Sequence, residues 1–98
     1  MSLSETLSAH RRLTVLRYLS EVSGYQANAS ILQDVCNGLG VASTRAQIDA
    51  DLGWLAEIDL ITLERGEGYV VATLTERGGE VASGRASIEG VKRPRPGI

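Results

Sequence analysis

Apolar residues recur at helical intervals along the first sixty residues and then crowd together at strand-like density. Leu13, Leu16 and Leu19, with Ala9 and Val15 nearby, form one stripe of a helix expected over residues 5–22. His10, Arg11, Thr14, Arg17 and Glu21 fall largely on its other side. Gly24 is a suitable stop, because glycine alone takes the left-handed cap conformation without strain. Residues 25–27 read as a short extended connector. Asn28 or Ser30 then caps a second helix, and Ser30 with Gln33 has the spacing of a capping box. Ile31, Leu32, Val35, Cys36 and Leu39 are its apolar side, and Gly38 and Gly40 end it.

The third segment organises the chain. Ser43, or alternatively Thr44 with Gln47, caps a helix running to about residue 58. Ile48, Leu52 and Leu55 stack on its inner face, and Asp51 is assigned outside that stripe. Asp59 stands where a helix often ends in glycine, and aspartate tolerates left-handed backbone better than most residues. Two apolar, β-rich runs follow, over residues 60–64 and 69–74, with Gly66-Glu67-Gly68 between them as a hairpin turn. Thr75 caps a last helix over residues 76–83, and Gly84 stops it. Gly78 and Gly79 weaken that helix by roughly 1 kcal/mol each relative to alanine, so packing must hold it.

This order predicts a mainly α fold with a small β-hairpin: a winged helix-turn-helix over residues 1–84. A basic, proline-containing tail follows over residues 85–98, either solvated or lying along phosphates or an acidic surface. Ninety-eight residues suit one domain. No stretch has the length of a membrane span, and the N-terminus lacks a signal-peptide core. One cysteine, Cys36, excludes an internal disulfide and reads as a small buried hydrophobe. These features point to a cytoplasm.

Charge complicates a nucleic-acid reading. The net charge is −2, whereas domains devoted to phosphate contact are usually basic. Residues 34–64, which hold the helix that would enter a groove, sum to −5, while the last fourteen residues sum to +3.

In helix-turn-helix docking, the first turns of the second helix reach base edges. That nominates Ser43, Thr44, Arg45 and Gln47, with Arg suited to guanine and Gln to adenine. The alternative is that these are ordinary capping and solvent-facing residues. Arg11, Arg12, Arg65, Lys92, Arg93 and Arg95 are the candidates for phosphate or minor-groove contact. Leu3 and Leu7 are spare apolar residues suited to a homodimer contact. Trp54 suits packing on the first helix or the wing, a dimer contact, or a nucleic-acid contact. One Cys and one His offer no metal pair, and neither a nucleophile–base pair nor a phosphate loop is present, so no metal, cofactor or enzymatic activity is expected.

Several local runs carry a family resemblance: His10-Arg11-Arg12-Leu13, Leu32-Gln33-Asp34, Trp54-Leu55-Ala56-Glu57, Ala72-Thr73-Leu74-Thr75-Glu76-Arg77-Gly78 and Gly90-Val91-Lys92-Arg93-Pro94. Together they resemble a family of small winged-helix proteins of Mu-like bacteriophages and prophages, often labelled ArsR-like transcriptional regulators. The resemblance spans nearly the whole chain. It implies a phage protein in the cytoplasm of the bacterial host, and the winged-helix outline suggests a regulator acting on double-stranded DNA. The alternative is a protein–protein module of phage development or assembly, docking a phage or host protein without DNA.

Overall fold

The structure, a computed structural model, describes residues 2–95. Helix α1 spans Leu3–Glu21, followed by a 3-10 turn at Ser23–Tyr25 and strand β1, Gln26–Asn28. Helices α2 (Ala29–Gly38) and α3 (Arg45–Glu57) come next. Strands β2 (Ile61–Gly66) and β3 (Tyr69–Leu74) precede α4 (Glu76–Ser83). This is a winged helix-turn-helix, as expected.

Local chemistry sets the boundaries. Ser2 and Glu5 form a capping box that starts α1 earlier than periodicity suggests. Asn28 caps α2 by accepting from the Ile31 N–H (2.8 Å), so Ser30 is not the cap. Thr44, not Ser43, caps α3 through a capping box with Gln47. Thr75 caps α4, and Gly84 ends it at φ 85°.

The connector after α1 proves to be a strand. β1 pairs antiparallel with β3 (Ala27 opposite Ala72), so the sheet has three strands in the order β1-β3-β2. The hairpin pairs Ile61 with Leu74 through to Gly66 with Tyr69, leaving a two-residue turn in which Gly68 has φ 79°. Alternation places Ile61 and Leu63 on the face of Ala72, toward the helices.

Leu16, Leu19, Leu32, Ile48, Leu52, Leu55, Leu60 and Ile61 are fully buried and join the three helices to the sheet. Burying each of these side chains contributes about 1.5–3 kcal/mol. On α2 the buried row is Ala29, Leu32 and Cys36; Ile31 and Leu39 are exposed, contrary to the reading of one apolar side.

Two backbone details fix the wing relative to α3. Asp59 takes φ 63°, and its carbonyl accepts from Thr75 Oγ1 (2.7 Å), tying the end of α3 to the start of α4. Gly78 is buried, and a Cβ there would collide with the Leu60 carbonyl oxygen. Glycine is therefore required for close approach, and its low helix propensity is offset by that packing.

The segment after Gly84 is not a loose tail. Ala86, Ile88 and Val91 pack on the core, and Lys92 donates its N–H to the Ala9 carbonyl (3.2 Å). Its last three positions, 96–98, lie outside the described residues.

Candidate nucleic-acid interface

The turn between α2 and α3 is held by side chains of α2. Gly40 at φ 83° reverses the chain, and the Val41 N–H donates to the Cys36 carbonyl (2.9 Å). Asn37 grips the Ser43 backbone twice: its Oδ1 accepts from the Ser43 N–H (2.8 Å) and its Nδ2 donates to the Ser43 carbonyl (3.2 Å). The Ser43 hydroxyl donates to the Val41 carbonyl and accepts from Arg11 Nε, both at 2.7 Å. Ser43 is thus a buried strut that sets the entry angle of α3. Its hydroxyl is not on the surface where base edges would be read.

Arg11 and Arg12 are likewise drawn inward. Arg11 is 2% exposed; its Nη1 donates to Asp51 Oδ2 at 2.9 Å and its Nη2 to the Ala42 carbonyl at 3.2 Å. Arg12 Nε donates to the other carboxylate oxygen of Asp51 (2.9 Å), and its Nη1 to the Gly90 carbonyl (3.0 Å). The Arg12 guanidinium also lies 3.9 Å from the centroid of the Trp54 ring, a cation–π contact worth about 0.5–2 kcal/mol. A Cβ on Gly90 would meet that ring at 2.7 Å, so the C-terminal segment lies directly against Trp54. Both arginines are structural here, and Trp54 packs within the subunit on α1 and the C-terminal segment. The sequence held a signal for this: Asp51 sits three residues after Ile48 and four before Leu55, inside the buried stripe.

This changes the electrostatics of α3. The charge of Asp51 is met by two guanidinium groups inside the protein, so it does not project outward. What α3 exposes is Arg45, Ala46, Gln47, Asp49, Ala50 and Glu57. Arg45 pairs with Asp49 at 3.3 Å, an exposed i,i+4 bridge worth only about 0.3–0.5 kcal/mol and easily exchanged for a better partner. Ala46 and Ala50 let a partner approach the helix closely. Thr44 and Gln47 are exposed while their side-chain oxygens serve the cap; the Gln47 amide nitrogen has no such duty there. On the wing, Arg65 and Glu67 are exposed, and the Tyr69 ring lies across Gly66.

The remaining candidates lie elsewhere. Lys92, Arg93 and Arg95 line a groove along α1, where His10 has its pKa lowered by burial first and then by the positive charge of Lys92 and Arg95. Leu3 is exposed and Leu7 half-buried at the start of α1. Burial pushes the Cys36 thiol up to about 11. Among the described residues, no three His, Cys, Asp or Glu side chains gather where they could hold a metal, and no helix is long and apolar enough to cross a membrane.

No protein-family model matches the sequence. The chain is 45% identical to an uncharacterized protein, gp26, of Escherichia phage Mu over 94 residues, covering 96% of this chain and 97% of that protein. It is 44% identical over 78 residues to an uncharacterized protein of Haemophilus influenzae, covering 79% of this chain and 76% of the other. Among solved structures it resembles AbsC, a MarR family transcriptional regulator from Streptomyces coelicolor, with a TM-score of 0.58 and 21% identity. That match covers 74% of this chain and 47% of AbsC, so this chain spans about half the length of the regulator it resembles. The similarity is one of fold. The neighbour is of the MarR family, and none of these comparisons bears the ArsR label.

Proposed function

Since the chain belongs to the family of gp26 of Escherichia phage Mu and has a winged-helix fold, we propose that it is a DNA-binding transcriptional regulator of a Mu-like phage or prophage. Helix α3 enters the major groove, with Arg45 and the Gln47 amide reading base edges and Arg65 of the wing meeting the adjacent backbone. The observation that carries this reading is the free outer face of α3: Arg45, Ala46, Gln47 and Ala50 are exposed, with the one outward guanidinium held only by a surface bridge. AbsC, of the same fold, is a transcriptional regulator, which supports the role without specifying a site.

The protein acts as a homodimer through Leu3 and Leu7 at the start of α1, in the cytoplasm of the bacterial host. Two-fold symmetry sets two α3 helices one turn of duplex apart. Selection of bound fragments from phage and host genomes, run beside Arg45→Ala, tests the reading. Enrichment of a palindromic site that is lost with Arg45→Ala supports it. Recovery of the same random fragments by both proteins contradicts it.

A second reading is a protein–protein module without DNA. Asp49 and Glu57, both on the outer face of α3, favour it, since they repel phosphates. Under that reading the fragment selection enriches nothing, and a protein partner is retained by α3.

A further inference from the structure

Exposed positive charge on this chain collects away from α3. Of the ten Lys and Arg residues, Arg11 and Arg12 are held by Asp51 and Arg45 by Asp49. Lys92, Arg93 and Arg95 have no carboxylate partner among the described residues, and all three line one open groove of about 600 Å3. The groove runs between α1, the α2–α3 turn and the C-terminal segment, and no residue of α3 or the wing lines it.

Its floor is apolar. Leu13 and Val41 form the bottom, and Leu39, at the C-cap of α2, stands 70% exposed at its side. Leu39 extends the apolar floor outward, and a contiguous apolar surface rimmed by polar groups is the feature that marks a contact site. The sole carboxylate among the lining residues is that of Glu21. The groove thus joins a hydrophobic seat to a positively charged rim. A nucleic-acid backbone answers the rim but gains nothing from Leu39 and Val41. An acidic peptide carrying an apolar anchor answers both, and an open groove admits a side chain borne on a peptide.

We propose that this groove docks an acidic segment of a partner protein, which seats an apolar side chain on Leu13, Leu39 and Val41 and sets its carboxylates against Lys92, Arg93 and Arg95. The site is separate from the α3 surface, so DNA and partner can be held at once. The groove adjoins the α2–α3 turn, where Val41 lies four residues before Arg45.

The test is fluorescence anisotropy with a short labelled glutamate-rich peptide bearing leucines at helical spacing. It is run on the full chain, on Leu39→Ser, and on a Lys92→Glu/Arg93→Glu/Arg95→Glu variant. Leu39 and the three cations are at least partly exposed, and circular dichroism checks that each variant is folded. The expected result is binding that weakens about tenfold in either variant, the charge loss being that of a few exposed ion pairs. A control peptide with serine for leucine binds the wild type about as weakly as the original binds Leu39→Ser. Absence of binding overturns the proposal, as does binding unchanged by both variants. Equal affinity for the serine peptide reduces the groove to ion exchange and also overturns it. If duplex DNA competes with the peptide and loses affinity in the charge variant, the groove is a nucleic-acid surface instead. Arg45→Ala leaves peptide binding intact, so failure of the α3 reading and failure of this one are distinguishable.

Discussion

Arg11 of α1 reaches Asp51 in the middle of α3 at 2.9 Å, with both side chains inside the core. Arg12 takes the other oxygen of the same carboxylate, so one aspartate anchors α1 and, through Gly90, the C-terminal segment. Breaking a buried pair leaves an uncompensated charge at a cost of about 3–5 kcal/mol. Asp51→Ala is therefore expected to lose stability of that order in urea denaturation. A loss below about 1 kcal/mol would mean that the guanidinium groups find water or other acceptors.

Gly78 and Gly53 are both helical glycines with opposite surroundings. Gly78 faces the Leu60 carbonyl, whereas a Cβ on Gly53 meets nothing within 4 Å. Gly78→Ala should destabilise by about 1–3 kcal/mol through overpacking. Gly53→Ala should stabilise by about 0.5–1 kcal/mol through helix propensity. Midpoints of denaturation that move in the same direction for both would contradict this placement of α4 against the junction.

Cys36 is fully buried and its thiol is pushed up to about 11. At neutral pH it is protonated and shielded, so a disulfide reagent should label it only as fast as the protein opens. Labelling is expected to accelerate with denaturant. Complete reaction of the native protein within mixing time would place the thiol at the surface.

His10 should titrate below its ordinary 6.5, for burial and the charges of Lys92 and Arg95 disfavour its proton. The unfolded chain binds that proton more readily, so stability is fully present above the unfolded value and falls as pH drops through the lowered folded one. By NMR, Lys92→Ala/Arg95→Ala should raise the pKa part of the way back, with burial accounting for the remainder. An unchanged value would remove these cations from the groove's rim.

Elements with local signals were legible in the sequence. The stripe of Ile48, Leu52 and Leu55, the Thr75 cap, Gly84 and the hairpin turn all act within a few residues, and each lies where periodicity and turn chemistry put it, except that Gly66 closes β2 and leaves Glu67 and Gly68 as the turn. Asp59 in left-handed backbone was legible for the same reason. What could not be read was long-range pairing. β1 exists only because β3 lies beside it, some forty-five residues on. Arg11 precedes Val15 and Leu19 at i,i+4 spacing on the same buried row, yet a charge there reads as solvent-facing without sight of its partner Asp51. The same pairing removes much of the charge conflict at α3, and it takes Arg11, Arg12 and Ser43 out of the surface set nominated for DNA. Leu39 fitted an apolar helical face but lies past the last turn, where the chain leaves the core.

The measurement that bears most directly on the account is the footprint of a duplex on the folded protein, read from backbone amide signals during titration with the selected fragment. Shifts concentrated over residues 44–50 and 65–68, weakened by salt with a slope of about 0.9 per phosphate neutralised, are the result predicted. Shifts confined to the groove along α1, or none at all while the protein stays folded, would contradict a reading in which α3 faces DNA.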